Sequence, residues 1–272
     1  MSVKKEPSGR RSVQVEVEVP GTPEEVWQAI ATGPGVSAWF VPTEIIEENG
    51  KPVAIKLNFG PGMESVSKIT AWDPPRKFGA QGEGWGNAPP IADEWHVEAR
   101  AGGVCVVRVV HSLFASTDEW DNQLEGTEHG WPGFFRILRL YLEHFRGEGG
   151  VTNQWLIPAK GTEAEAWSTL LGALGLKGVK PGARWQSPAG APQLSGVVEH
   201  TSESPYQALV RLDTPGPGVA SLGVVTFGGS VMATISLYLY GRQAAAVAAR
   251  VEPSVQEWIN QHFPVADAGA TT

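Results

Sequence analysis

The stretch Val13-Gln14-Val15-Glu16-Val17-Glu18-Val19-Pro20-Gly21-Thr22-Pro23-Glu24-Glu25-Val26-Trp27 carries the organisation of the whole chain. Its first half alternates valine with polar residues, the period-two pattern of a strand with one apolar face. Pro20-Gly21 ends that strand, and a helix starts at once. Thr22 suits the N-cap, Pro23 suits the first helical position, and Glu24 and Glu25 favour the positive end of the helix dipole. Val26, Trp27 and Ile30 then form a buried stripe. The signature returns 140 residues later as Gly161-Thr162-Glu163-Ala164-Glu165-Ala166-Trp167, preceded by Asn153-Gln154-Trp155-Leu156-Ile157-Pro158. The far ends of the two copies agree as well, since Glu143-His144-Phe145 and Gln261-His262-Phe263 each close a long helix. A repeat of this length means duplicated domains, because solenoid repeats are far shorter.

Outward from that stretch the first copy reads strand, helix, run of strands, long helix. A short helical segment surrounds Val36-Ser37-Ala38-Trp39-Phe40. Strands are expected over 53–59, 66–72, 77–81, 92–100 and 104–112, with Gly102-Gly103 as the last hairpin turn. Trp131, Phe134, Phe135, Leu138, Tyr141, Leu142 and Phe145 recur at helical spacing and make one continuous apolar stripe, which must lie on a sheet. The second copy repeats the plan with a shorter middle: a helix over 163–174, strands near 195–201, 206–213, 218–227 and 231–240, and a helix over 243–262 in which Pro253 predicts a kink or break. The expected boundaries are a flexible tail over 1–11, a domain over 12–146, a linker over 147–151, a shorter divergent domain over 152–264, and a disordered tail over 265–272.

Bulk properties narrow the function. The 272 residues are 42% hydrophobic and 18% charged, enough for sizeable cores, and include 11 tryptophans. The net charge of −8, with no basic stripe, argues against nucleic acid as a partner. No charged side chain lies between Asp213 and Arg242, but Gly228-Gly229 and the alternation that follows read as a buried hairpin rather than a membrane span. The charged start of the chain lacks the apolar core of a signal peptide. A single cysteine, Cys105, fits a reducing cytoplasm and reads as an inert buried thiol.

The order strand, helix pair, antiparallel sheet, long C-terminal helix resembles the START-like (SRPBCC, birch-pollen-allergen-like) superfamily, and within it the homologues of the activator of heat-shock-protein-90 ATPase. The resemblance rests on Thr22-Pro23-Glu24-Glu25-Val26-Trp27, Trp39-Phe40-x-Pro42, Ile69-Thr70-Ala71-Trp72-Asp73-Pro74-Pro75-Arg76-Lys77-Phe78, and His129-Gly130-Trp131 opening the last helix. It covers 12–146 and reaches the second copy mainly through the internal repeat. It implies an α+β fold of two tandem helix-grip domains, each a curved antiparallel sheet wrapped around a long C-terminal helix. It also implies a cavity between sheet and helix that holds lipids, polyketides or aromatic compounds, with cyclisation or hydration catalysed in some members. No catalytic motif comes with it.

Residues expected to line such a cavity are Trp39, Phe40, Trp85, Trp95, Trp131, Phe134, Phe135 and Leu138, with Trp85 in a glycine-rich loop suited to a gate. The plain alternative is that these rings fill a core. A hairpin register centred on Gly102-Gly103 sets His111 opposite Glu94, either as a proton-transfer or ligand-orienting pair or as a surface pair on the outer face. With Tyr141 they are the candidate polar groups of the pocket. No cofactor is implied, and no metal, because HExxH and CxxC spacings are missing. The acidic run Asp118, Glu119, Asp121, Glu125 and Glu128 reads as a solvated cap before the long helix. The leading expectation is binding of an apolar small molecule in the first domain. A cyclase- or hydratase-type enzyme and a co-chaperone-like protein-interaction module are the alternatives.

Overall fold

A computed structural model describes residues 3–60, 62–83, 89–115, 117–227 and 229–263. The chain divides into two compact units, Met1–Glu148 and Gly149–Thr272, each with its own antiparallel sheet and helices.

In the first unit β1 (Lys4–Lys5) and β2 (Arg10–Pro20) precede α1 (Pro23–Ala31) and α2 (Gly33–Ser37). Six strands follow: β3 (Thr43–Glu48), β4 (Lys51–Asn58), β5 (Glu64–Asp73), β6 (Lys77–Gly82), β7 (Ile91–Arg100) and β8 (Val104–Phe114). The long helix α3 (Asp121–His144) closes the unit. The sheet order β1-β2-β8-β7-β6-β5-β4-β3 places β2, the first long strand, beside β8, the last. Register shifts after Ile46 and after Ile69 interrupt the ladders, and such bulges bend a sheet. α3 lies against β2 and β8, and buries Leu124, Trp131, Phe135, Leu138 and Tyr141.

The second unit has the same plan with fewer strands. β9 (Gly150–Pro158), α4 (Glu163–Ala173), β10 (Arg184–Gln186), β11 (Ser195–Glu203), β12 (Tyr206–Thr214), β13 (Gly218–Phe227), β14 (Ser230–Tyr240) and α5 (Ala244–His262) follow in turn. Its order β10-β11-β12-β13-β14-β9 again sets the first long strand against the last. Residues 213–242, uncharged inside their ends, supply β13 and β14. Among the described residues no helix is long and apolar enough to cross a membrane.

The repeated signature is one local device used twice. Thr22 Oγ1 accepts from the Glu25 backbone N–H at 3.3 Å while the Thr22 N–H donates to Glu25 Oε2 at 2.8 Å. Thr162 and Glu165 repeat both bonds at the same lengths. Each capping box satisfies two otherwise orphaned donors. Glycine precedes each threonine for a reason: Gly21 and Gly161 have φ of +133° and +81°, and a Cβ there would approach the capping glutamate. A tryptophan then braces each helix end, Trp39 Nε1–H donating to the Ala29 carbonyl and Trp185 Nε1–H to that of Leu174, both at 2.9 Å.

Several expectations are corrected. Residues 1–11 are not a free tail where they are described. Lys4 and Lys5 pair with Ser12 and Arg11, and Val3 joins a small core with Val13, Leu113 and Leu124. The buried Arg11 guanidinium contacts Asp121 Oδ1 and Asp118 Oδ1, both at 2.6 Å, and Lys5 Nζ reaches Asp121 Oδ2 at 2.8 Å. The acidic run is thus no solvated cap: part of it is ion-paired, and α3 starts at Asp121, ten residues ahead of Trp131. The linker expected over 147–151 gives way at Gly150, where β9 already pairs with β14. β1, β3 and β10 were not expected. β1 and β10 are too short for a periodic signal, and β3 is an acidic edge strand. Pro253 and Pro132 both lie inside unbroken helices. The tail expected over 265–272 falls outside the described residues.

Candidate functional site

The first unit encloses a cavity of about 330 Å³ between its sheet and helices. Trp39 and Phe40 come from the turn that follows α2, Trp95 from β7, and Trp131 and Phe134 from α3. These rings touch edge-to-face or offset: Phe40 to Phe134 at 4.7 Å and 90°, Trp95 to Trp131 at 5.1 Å and 84°, Phe40 to Trp131 at 5.3 Å and 29°. Such geometry favours the ring quadrupoles and leaves flat aromatic faces along the free space. Phe59 and Phe78 extend the aromatic wall, while Ile55, Leu57 and Ile91 add aliphatic surface.

Polar groups enter this wall at few points, and the most deeply set is on β7 and β8. His111 is buried, lines the cavity, and stands opposite Asp93 in the ladder. Its Nδ1 contacts Asp93 Oδ1, and its Nε2 accepts from Trp131 Nε1–H. Since an indole N–H only donates, Nε2 holds no proton and the neutral ring carries its hydrogen on Nδ1, toward the carboxylate. Asp93 lines the cavity too; its Oδ1 is buried and receives no aligned hydrogen bond from any described residue. Among the described residues, Ser65, Ser67 and Glu83 are the other polar side chains on the wall.

The expected His111–Glu94 pairing is therefore wrong by one residue. The β7–β8 hairpin turns through Ala101, Gly102 and Gly103, with Arg100 opposite Val104, so a turn centred on the two glycines is a residue too short. A one-residue slip exchanges the faces of a strand. Asp93 goes inside with His111, and Glu94 goes outside, where Lys77 Nζ at 2.9 Å and Arg10 Nη2 at 2.8 Å hold it. The hydrogen bond from Lys77 leads in keeping the Glu94 carboxyl below the usual range, against partial burial. Tyr141 is buried away from the cavity wall and donates to the Glu148 carbonyl at 3.3 Å; burial pushes its phenol up. Phe135 and Leu138 lie in the core beneath the cavity, outside its lining. Trp85 falls outside the described residues.

Asp93, Phe59 and Phe78 are lining residues that sequence reasoning missed. The alternation Asp93-Glu94-Trp95 contained the signal for Asp93: it shares a strand face with Trp95, already expected inside, whereas Glu94 does not.

Residues 10–140 match the family described as polyketide cyclase / dehydrase and lipid transport. No curated protein matches the chain. Similar solved structures include the di-domain ARO/CYC BexL from the BE-7585A biosynthetic pathway, 12% identical, covering 94% of this chain and 99% of that one at a TM-score of 0.45. DynU16 from the dynemicin biosynthetic locus is 17% identical, with coverages of 93% and 95% and a TM-score of 0.42. The Aha1 dimer of Colwellia psychrerythraea is 22% identical, with coverages of 50% and 98% and a TM-score of 0.39. At these identities and scores they carry no functional weight. The family match over 10–140 falls within the first unit, whose antiparallel sheet lies against a long closing helix, the arrangement that the resemblance in the sequence implies.

Proposed function

We propose that the first unit binds a planar apolar small molecule of aromatic or polyketide type in its cavity. The observation that supports this is the aromatic wall around about 330 Å³ of space. Ligand pockets run from about 300 to 1,000 Å³, so the volume suits a molecule of two or three fused rings. The family description, which spans cyclisation and lipid transport, agrees with an apolar ligand. Native mass spectrometry of the purified chain tests it. One apolar compound per chain, lost in Trp131→Ala, is the expected result; a folded chain that retains no such compound and takes up no added polycyclic aromatic would sink the reading.

A second reading, a cyclase- or hydratase-type enzyme, has one observation in its favour: a carboxylate–imidazole pair faces the same cavity. Such a pair can move a proton to or from a bound ligand. The protein-interaction reading has less support. Among the described residues of the first unit, the exposed large apolar side chains are Val66 and Phe114, on strands separated by two others, so these two form no continuous patch.

A further inference from the structure

We infer that Asp93 is the specificity-determining group of the cavity, and that it selects aromatic ligands bearing a hydrogen-bond donor, such as a phenolic hydroxyl, over the bare hydrocarbons. This rests on the binding function proposed above and narrows its ligand class.

A carboxylate set into an aromatic wall is costly to desolvate unless donors face it. Asp93 is half-buried, its Oδ1 has no aligned donor among the described residues, and its one close polar neighbour is His111. The imidazole is in turn occupied. Trp131 caps Nε2, and that cap sends the remaining ring hydrogen toward Asp93. The chain Trp131–His111–Asp93 thus points all its donors one way and ends on an acceptor at the cavity wall. The imidazole offers a ligand no free lone pair, whereas the carboxylate still has acceptor capacity. A bound molecule that brings its own O–H or N–H adds a donor to the carboxylate; a pure hydrocarbon adds none.

Trp131 ties the polar and apolar halves of this recognition together. Its ring lies at 5.3 Å from His111 at an angle of 22°, and at 5.3 Å from Phe40 at 29°, so it forms part of the stacking surface while its N–H fixes the imidazole. Asp93, on β7, lines the same cavity as that stacking surface.

The test is isothermal titration calorimetry of the full chain with 2-naphthol and with naphthalene. 2-Naphthol is expected to bind about ten-fold or more tightly, the usual worth of a hydrogen bond to a charged group. Asp93→Asn is expected to collapse that ratio while naphthalene binding persists, which also reports that the variant is folded. His111→Phe, which removes the close polar neighbour of Asp93, should shrink the ratio. Equal binding of both probes by the wild type overturns the inference and leaves the binding function standing, as does an undiminished ratio in Asp93→Asn. Binding of neither probe overturns both. The wild-type comparison decides even where a variant fails to fold.

Discussion

The two units share a capping box, a bracing tryptophan and a strand order, yet they treat their interiors differently. In the first, α3 turns Trp131 and Phe134 toward the sheet, and free space remains among the rings. In the second, α5 buries Ala244, Val247, Ala248, Val251 and Val255, and Trp167, Trp185 and Trp258 belong to its core cluster. Bulky rings on a helix hold it off a sheet, whereas short side chains let it approach. The two closing helices thus differ in what they turn inward, rings in the first unit and mostly short side chains in the second.

The strongest way to break this comparison is to disrupt one unit and watch the other. A Cβ at Gly196 would stand 2.0 Å from the Arg211 carbonyl oxygen, and one at Gly35 would stand 1.9 Å from that of Gln28; both are backbone atoms that cannot give way cheaply. Gly196→Ala and Gly35→Ala are each expected to cost about 4 kcal/mol or more, at the far end of single substitutions. Only Gly35→Ala should abolish probe binding in calorimetry at a temperature where the other unit stays folded. If Gly196→Ala abolishes it equally, the cavity does not belong to the first unit alone.

Next in size are two buried tryptophans, one on each closing helix. Trp258→Ala should cost about 3–5 kcal/mol in urea unfolding, as for any large buried ring. Trp131→Ala should cost less, because part of its ring already faces empty space, and should cost more in ligand binding. Equal stability losses would argue that the first interior is as filled as the second. Thr22→Ala and Thr162→Ala should each cost about 1 kcal/mol. Near-equality is the expectation, since the two boxes share the same pair of backbone bonds at the same lengths.

The smallest effect is electrostatic. Lys77 and Arg10 depress the Glu94 carboxyl, so its folded pKa lies below its unfolded value. The stabilisation is present above the unfolded glutamate pKa of about 4.3 and is lost as pH falls through the folded value. Glu94→Gln should remove at most about 1 kcal/mol at neutral pH and flatten the acid limb of an unfolding-versus-pH curve. A variant that retains the wild-type slope would show that Glu94 gives the acid limb nothing.

What the sequence discloses and what it conceals follow from the range of the forces involved. The capping boxes, the long strands and the closing helices are local, so spacing alone discloses them, and the repeat doubles the signal. Glu94 and Asp93 mark the limit. Which of them enters the cavity turns on whether Ala101 counts as strand or turn, a choice settled by the backbone of one loop. Phe59 and Phe78 carry no local mark of a lining role either, because only the packing of distant strands decides which apolar residues border a void. The start of α3 was concealed for a different reason: Asn122, Gln123 and Gly126 give its first turns no apolar stripe beyond Leu124.

The Arg11 clasp has a consequence in time. Its bonds to Asp118 and Asp121 join residues 107 and 110 positions apart. Closing so long a loop is entropically unfavourable until the intervening strands have formed, and contacts of this separation slow folding. Arg11 enters the chain early, but the carboxylates that hold it are made only after every strand of the first sheet. On a growing chain the cavity thus stays open on its α3 side until α3 is synthesised.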